Sequence, residues 1–230
     1  MNYVIGCGGV GSWLAAALVR LAGSENVILV DGDTLEEKNL DRQLFTEEEI
    51  GRNKAEALAS RLKCKGNGNW YDRFNFTHSQ HDWLLCCADN NPARSEVLTA
   101  CDVHGCRAII AANETHSSEA YFYQPQWKDT ENDPRVYYPE IDTDESNNPQ
   151  RAAIGCTGEA QLQNRQLVTA NFMAAALAGH LYTVWAMEAR KVKPEVRRFM
   201  PHRLNQNLTR NGFILSGEPK AVATTKENNE

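Results

Sequence analysis

The chain has 230 residues, 42% hydrophobic and 23% charged, with a formal net charge of −6. That length and composition suit one sizeable, soluble α/β domain with its own core. The acid excess argues against a general nucleic-acid coat, and no apolar run approaches the roughly 18 residues of a membrane span.

Tyr3-Val4-Ile5 reads as a short buried strand ending at Gly6, and Ser12 opens a helix with Leu14, Leu18 and Leu21 on one face and Gly23 at its stop. Val27 to Val30 is a second buried strand closed by Asp31. Thr46 and Glu49 have capping-box spacing, and Ala55, Leu58, Ala59 and Leu62 carry a helix onward. A third strand is expected near Asn69 to Phe74 and a fourth at Trp83 to Cys87, followed by a helix from near Pro92. Further strands are expected over Arg107 to Ala112 and Glu119 to Tyr123. Strands alternating with helices in this way predict an α/β, Rossmann-like, doubly wound and mostly parallel sheet.

From Gln126 to Arg151 acidic residues are interleaved with Pro134, Pro139 and Pro149 without a period, which predicts a long loop lacking regular structure. Glu159 to Met187 is alanine-rich and apolar around most of a helix, so it is expected to be buried, partly against another subunit. Asn207 to Ser216, around Asn211-Gly212, reads as a hairpin, and residues 217–230 as a solvated tail. Residues 1–216 are thus expected to form one domain. Lys191, Lys193, Arg197, Arg198 and Arg203 collect before that hairpin, either as a solvated face or as a docking surface for an acidic partner.

Gly6-Cys7-Gly8-Gly9-Val10-Gly11 puts a GxGxxG pattern between the first strand and the first helix. Gly6 and Gly8 permit a tight turn close to a phosphate, Gly11 lets the helix pack on the strand, and the helix start offers N–H donors to an anion. Asp31 follows about twenty residues on, where an acid takes ribose hydroxyls. Alone, this pattern fits any nucleotide binder, NAD-dependent oxidoreductases included.

Two further blocks follow: Asp31-Gly32-Asp33-Thr34-Leu35-Glu36-Glu37-Lys38-Asn39-Leu40-Asp41-Arg42-Gln43, and Gly51-Arg52-Asn53-Lys54-Ala55. Asp89-Asn90 then closes an apolar strand. In this order the blocks resemble the ThiF/MoeB/HesA and ubiquitin-activating family, whose members carry DxDxVxxxNLxRQ, GxxKA and DN motifs. The resemblance implies an adenylyltransferase that uses ATP and Mg²⁺ to activate the C-terminal carboxylate of a ubiquitin-like or sulfur-carrier protein. It implies cofactor binding by Gly8, Gly9, Gly11, Asp31, Asp33, Asn39, Arg42, Gln43, Lys54, Asp89 and Asn90. Catalytic roles fall to Arg42, Lys54 and Asp89, with Mg²⁺ held by Asp89 through ATP.

Residue chemistry agrees with that resemblance. A carboxylate approaching an α-phosphorus brings two anions together, and Arg42, Lys54 and the Asn39 amide are the groups to screen them. Plainer readings exist for each. Arg42 and Lys54 fit surface ion pairs with Glu36, Glu37 or Glu47 to Glu49, Asp31 a strand-end carboxylate, and Asp89-Asn90 a turn.

Seven cysteines, an odd number, suit a reducing compartment, with the cytoplasm as the default, and no charged segment precedes the first strand to suggest a signal peptide. Cys156, in Gly155-Cys156-Thr157-Gly158, stands where relatives have a crossover segment (about 126–157 here) whose cysteine takes the activated protein in some members. The residue reads either as that nucleophile or as a small buried side chain. Cys7, Cys86 and Cys87 read as packing. Relatives that bind zinc do so with two C-x-x-C pairs; none is present, so structural zinc is not expected.

The resemblance also implies a homodimer through the helix around Phe172 to Trp185 and a conjugating enzyme as a further partner. Many relatives carry an N-terminal extension whose arginine reaches the partner's ATP; here the chain opens on its first strand, and Arg20 or Arg94 is the candidate substitute. Overall the chain is similar to compact ThiF proteins of bacterial mobile elements, including PRTRC systems, and of ubiquitin-like antiphage operons. Adenylation of a peptide or tRNA-attached carboxylate, a nucleotide-binding scaffold without catalysis, and a NAD-dependent oxidoreductase remain the alternatives.

Overall fold

A computed structural model describes residues 1–114, 117–143, 167–193, 197, 200–209 and 212–216. Among these, eight strands form one sheet in the order β3-β2-β1-β4-β5-β6-β7-β8. The strands are β1 (Asn2–Ile5), β2 (Val27–Val30), β3 (Lys65–Asn67), β4 (Trp83–Cys86), β5 (Arg107–Asn113), β6 (Ser117–Tyr123), β7 (Arg203–Thr209) and β8 (Gly212–Ser216). The first five run parallel, and β6, β7 and β8 complete the sheet antiparallel. The expected α/β, Rossmann-like, mostly parallel sheet is what the chain forms.

Helices cover both faces, which is why β4 and, after Asn2, β1 read as apolar runs, buried at every position. On one face Val4, Leu29, Leu85, Ile109 and Phe122 pack under α1 (Gly11–Ala22), α2 (Lys54–Leu62) and α6 (Val168–Tyr182). On the other, Tyr3, Ile5, Leu84, Cys86, Ile110 and Tyr121 pack with α3 (Asn91–His104), including Val97, Leu98 and Cys101. Ile141, in the short helix α5 (Glu140–Thr143), closes this second core. No helix of the described residues is long and apolar enough to cross a membrane.

Three expectations need correction. The third strand lies at Lys65–Asn67, not Asn69 to Phe74. Asn67 Oδ1 accepts the Asn69 N–H at 3.0 Å and turns the chain out of the sheet there. Gly66 keeps the edge strand close to α2, since a β-carbon on it would stand 2.9 Å from the Ala55 carbonyl. The Thr46–Glu49 capping box closes only a short 3-10 turn, Glu47–Glu49. After the left-handed Gly51 (φ 82°), α2 starts afresh with Asn53 Oδ1 accepting the Glu56 N–H at 3.0 Å.

The third correction concerns the acidic loop. Its described part holds a 3-10 turn (Pro125–Trp127), α4 (Pro134–Tyr137) and α5. Local ion pairing outweighs the missing hydrophobic period: Asp133, 1% exposed, accepts the Asp129 and Arg135 N–H groups and the Arg135 guanidinium. The rest of that loop, the expected helical turns before 167, Cys156 and the tail 217–230 lie outside the described residues. The hairpin is present as β7 and β8, and its turn at 210–211 is also outside them.

Candidate nucleotide site

The winding of the sheet reverses between β1 and β4, and in open α/β sheets the crevice beyond the strands' carboxyl ends at such a point receives ligands. Here β1 delivers the glycine loop and β4 delivers Cys87-Ala88-Asp89. Gly6 turns with φ 86°, and a β-carbon there would meet the Ala88 nitrogen at 2.9 Å. A β-carbon on Gly11 would be driven to 1.8 Å from the Gly6 carbonyl oxygen. Both positions therefore demand glycine, and α1 begins directly after the loop, its Ser12 N–H already bonded to the Gly8 carbonyl at 3.1 Å; a helix start of this kind is where an anion meets backbone N–H donors.

Asp31, at the end of β2, knits the loop to its neighbours. Its Oδ2 accepts the Cys7 N–H at 2.6 Å and its Oδ1 the Asp33 N–H at 2.9 Å. Burial raises its carboxyl above the ordinary carboxylate value, against the lowering effect of these two N–H groups and of Lys54. Asn53 clamps the same turn, donating to the Asp31 carbonyl at 2.8 Å and the Asp33 carbonyl at 3.1 Å. Lys54 is 6% exposed, donates its N–H to the Asp33 carbonyl at 2.9 Å and pairs its ammonium with the Asp33 carboxylate.

The Glu36–Leu44 segment folds across the start of α1. Ser12 Oγ accepts the Leu44 N–H at 3.0 Å, and Trp13 Nε1 donates to the Arg42 carbonyl at 3.3 Å. Gln43, 8% exposed, puts its Nε2 at 3.8 Å from where a Gly8 β-carbon would stand, and its Oε1 is buried without a partner. Asn39 is buried, with Oδ1 engaged by the Glu36 N–H at 3.0 Å. The Arg42 guanidinium donates to the Lys38 carbonyl and to Asp41, both at 3.0 Å. The plainer pairing with Glu36 or Glu49 goes to other residues: Lys38 takes Glu36 at 3.0 Å and Arg61 takes Glu49 at 3.1 Å.

Asp89 is exposed beyond β4, and Asn90 caps α3 by accepting the Ala93 N–H at 2.9 Å. Arg94, one turn into α3, donates to Asn91 at 3.0 Å and leaves a buried Nε without a partner. Arg20 lies at the far end of α1, donating to the Ala16 carbonyl, a helix length from the glycine loop of its own chain. Cys7, Cys86, Cys87, Cys101 and Cys106 are buried in the two cores. Burial pushes the Cys7 and Cys87 thiols well above the usual thiol range, which disfavours the thiolate.

Sequence reading missed Asn171. It is fully buried on α6, its Nδ2 lies 3.5 Å from the Arg42 carbonyl, and a β-carbon on Gly9 would come within 2.5 Å of that nitrogen. The available signal was a lone amide on an otherwise alanine-rich buried face.

Among curated relatives, ubiquitin-like modifier-activating enzyme 5 of Drosophila willistoni is 34% identical over 122 residues, covering 44% of this chain and 30% of that protein. The Bombyx mori counterpart is 31% identical over 119 residues, with 43% and 30% covered. The chain thus matches under a third of the length of these relatives. Similar solved structures include Escherichia coli MccB with AMPCPP and MccA (TM-score 0.64, 18% identity, 96% of this chain and 64% of that one). PaaA is another (TM-score 0.65, 15% identity, 94% and 72% covered). At these identities the structures speak for the fold. The model of the ThiF family matches residues 2–211, from β1 through β7, and on that extent the chain belongs to the ThiF family.

Proposed function

We propose that this chain is an ATP-dependent adenylyltransferase acting on the C-terminal carboxylate of a ubiquitin-like protein. The observation that carries the reading is the convergence of three segments on one crevice: the glycine loop, the Asp31–Asp33 turn clamped by Asn53 and Lys54, and the Arg42–Gln43 segment lying over α1. Membership of the ThiF family and the likeness to ubiquitin-like modifier-activating enzymes support the substrate class.

In this reading the phosphates lie against the N–H groups of Gly8 to Gly11, and Asp31 accepts the ribose hydroxyls. Arg42 and Lys54 exchange their present carboxylate partners for phosphate oxygens, where a planar fork and a point charge offset the approach of a second anion. The partner's carboxylate oxygen attacks the α-phosphorus, the bond to the β-phosphate oxygen breaks, and acyl-adenylate and pyrophosphate result. Asp89, exposed with hard oxygen donors, fits Mg²⁺, which would supply charge neutralisation on the phosphates. No group of three or more His, Cys, Asp or Glu side chains placed to hold a metal ion occurs among the described residues. Cys156 then takes the acyl group from AMP as a thioester for a conjugating enzyme.

The setting we infer is a cytoplasmic homodimer in a bacterial conjugation pathway of the antiphage kind, with 1–216 as the adenylation domain. Sulfur-carrier activation uses the same first step. The test is partner-dependent ATP–pyrophosphate exchange. Arg42→Ala and Asp89→Ala should each lower it by about a hundredfold or more. Wild-type rates in both variants would contradict the mechanism, and ATP binding with no exchange under any partner would favour a scaffold.

A further inference from the structure

Trp70 is a large aromatic side chain left 65% exposed, with no aromatic partner among the described residues. It is not loosely placed. Its indole lies directly over Gly32, where a β-carbon would fall 2.5 to 2.7 Å from three ring atoms. Only glycine between Asp31 and Asp33 admits the ring. The segment leading to it is tied to the same turn, because the Asp31 N–H donates to the Asn67 carbonyl at 3.2 Å and Asn69 is held by Asn67. The indole is thus held against the backbone beside Asp31 while most of the side chain remains exposed.

The sheet order gives that exposed surface an occupant. In the function proposed above, on which this inference rests, the phosphates lie over the end of β1 and the ribose on Asp31 at the end of β2. In the order β3-β2-β1, the next position along the crevice is the one beyond β2, reached by the segment that follows β3. A base carried on the ribose at the end opposite its phosphates reaches this position. We propose that Trp70 is the stacking platform for the purine base of the bound nucleotide. Indole faces suit purines because stacking needs a flat π-surface and no matching hydrogen bonds.

The experiment titrates the full chain with ATP–Mg²⁺ and follows indole fluorescence, then measures exchange kinetics. The wild type should bind ATP with a change in emission. Trp70→Ala should weaken ATP binding by about tenfold or more, raising KM for ATP with kcat little altered, while Trp70→Phe recovers most of the affinity without the emission change. Inorganic tripolyphosphate, which has no base, should inhibit the wild type and Trp70→Ala equally. Wild-type ATP affinity in Trp70→Ala would overturn the proposal alone, as would loss of protein-partner binding with ATP affinity intact. Failure of the wild type to bind ATP would overturn the nucleotide reading beneath it.

Discussion

Gly9 needs no left-handed backbone; what reserves the position is the Asn171 amide standing where its β-carbon would be. That contact makes Asn171 a positioning residue for the glycine loop, and it yields a coupled prediction. Gly9→Ala should weaken ATP binding by about tenfold, and Gly9→Ala/Asn171→Ala should recover most of it, because the clash is relieved. Strictly additive losses by calorimetry would contradict the contact. A second prediction concerns His78, buried against Tyr3, Phe76 and His104 with Nε2 at 2.9 Å from the Tyr71 hydroxyl. Burial first, and the His104 charge second, lower it from 6.5 to about 4. The folded state resists a proton that the unfolded chain accepts, so its stabilising contribution is whole above pH 6.5 and is lost as pH falls toward 4. Thermal melts should therefore decline across that window, and His78→Gln, which retains an acceptor for Tyr71, should flatten the slope.

At the level of elements, β1, β2, β4, β5 and the glycine turn were legible because each carries its own local signal, whereas β3 was expected at Asn69 to Phe74 and lies at Lys65–Asn67. Gly6 and Gly11 are dictated by contacts within a few residues or with the neighbouring strand end. Asn171 was not legible, since its contact with the Arg42 carbonyl spans 129 residues of sequence. The segment 125–143 was misread for a related reason: besides the local Asp133–Arg135 pairing, it is held by a charge met at a distance, Asp102. Arg135 joins Asp133 to Asp102 of α3 at 2.9 Å and donates to the Tyr123 hydroxyl at 2.7 Å, so the short α4 is anchored to both α3 and β6. Removing the guanidinium leaves a buried carboxylate unpaired. Arg135→Met should cost about 3–5 kcal/mol in denaturant unfolding and open this segment to proteolysis; a loss under about 1 kcal/mol would contradict the anchoring.

For the whole molecule, α1 and α6 share an outer cleft of about 260 Å³ lined by Trp13, Leu21, Phe172, Ala176 and His180. Phe172 is 56% exposed and meets the Trp13 ring edge-on at 5.5 Å, the apolar face expected of the proposed dimer. Phe172→Glu should shift light-scattering mass from dimer to monomer; a wild-type monomer at every concentration would remove the dimer from the proposal. The central claim concerns the crevice between β1 and β4; the two cations the proposal assigns to it, Lys54 and Arg42, are paired with Asp33 and with Asp41 and the Lys38 carbonyl. The most direct test is a crystal structure of the full chain with Mg²⁺ and a non-hydrolysable ATP analogue. The account predicts triphosphate against Gly8 to Gly11, ribose on Asp31, and Arg42 and Lys54 released onto phosphate oxygens. A nucleotide bound elsewhere, or bound here with both cations still on their present partners, would contradict it.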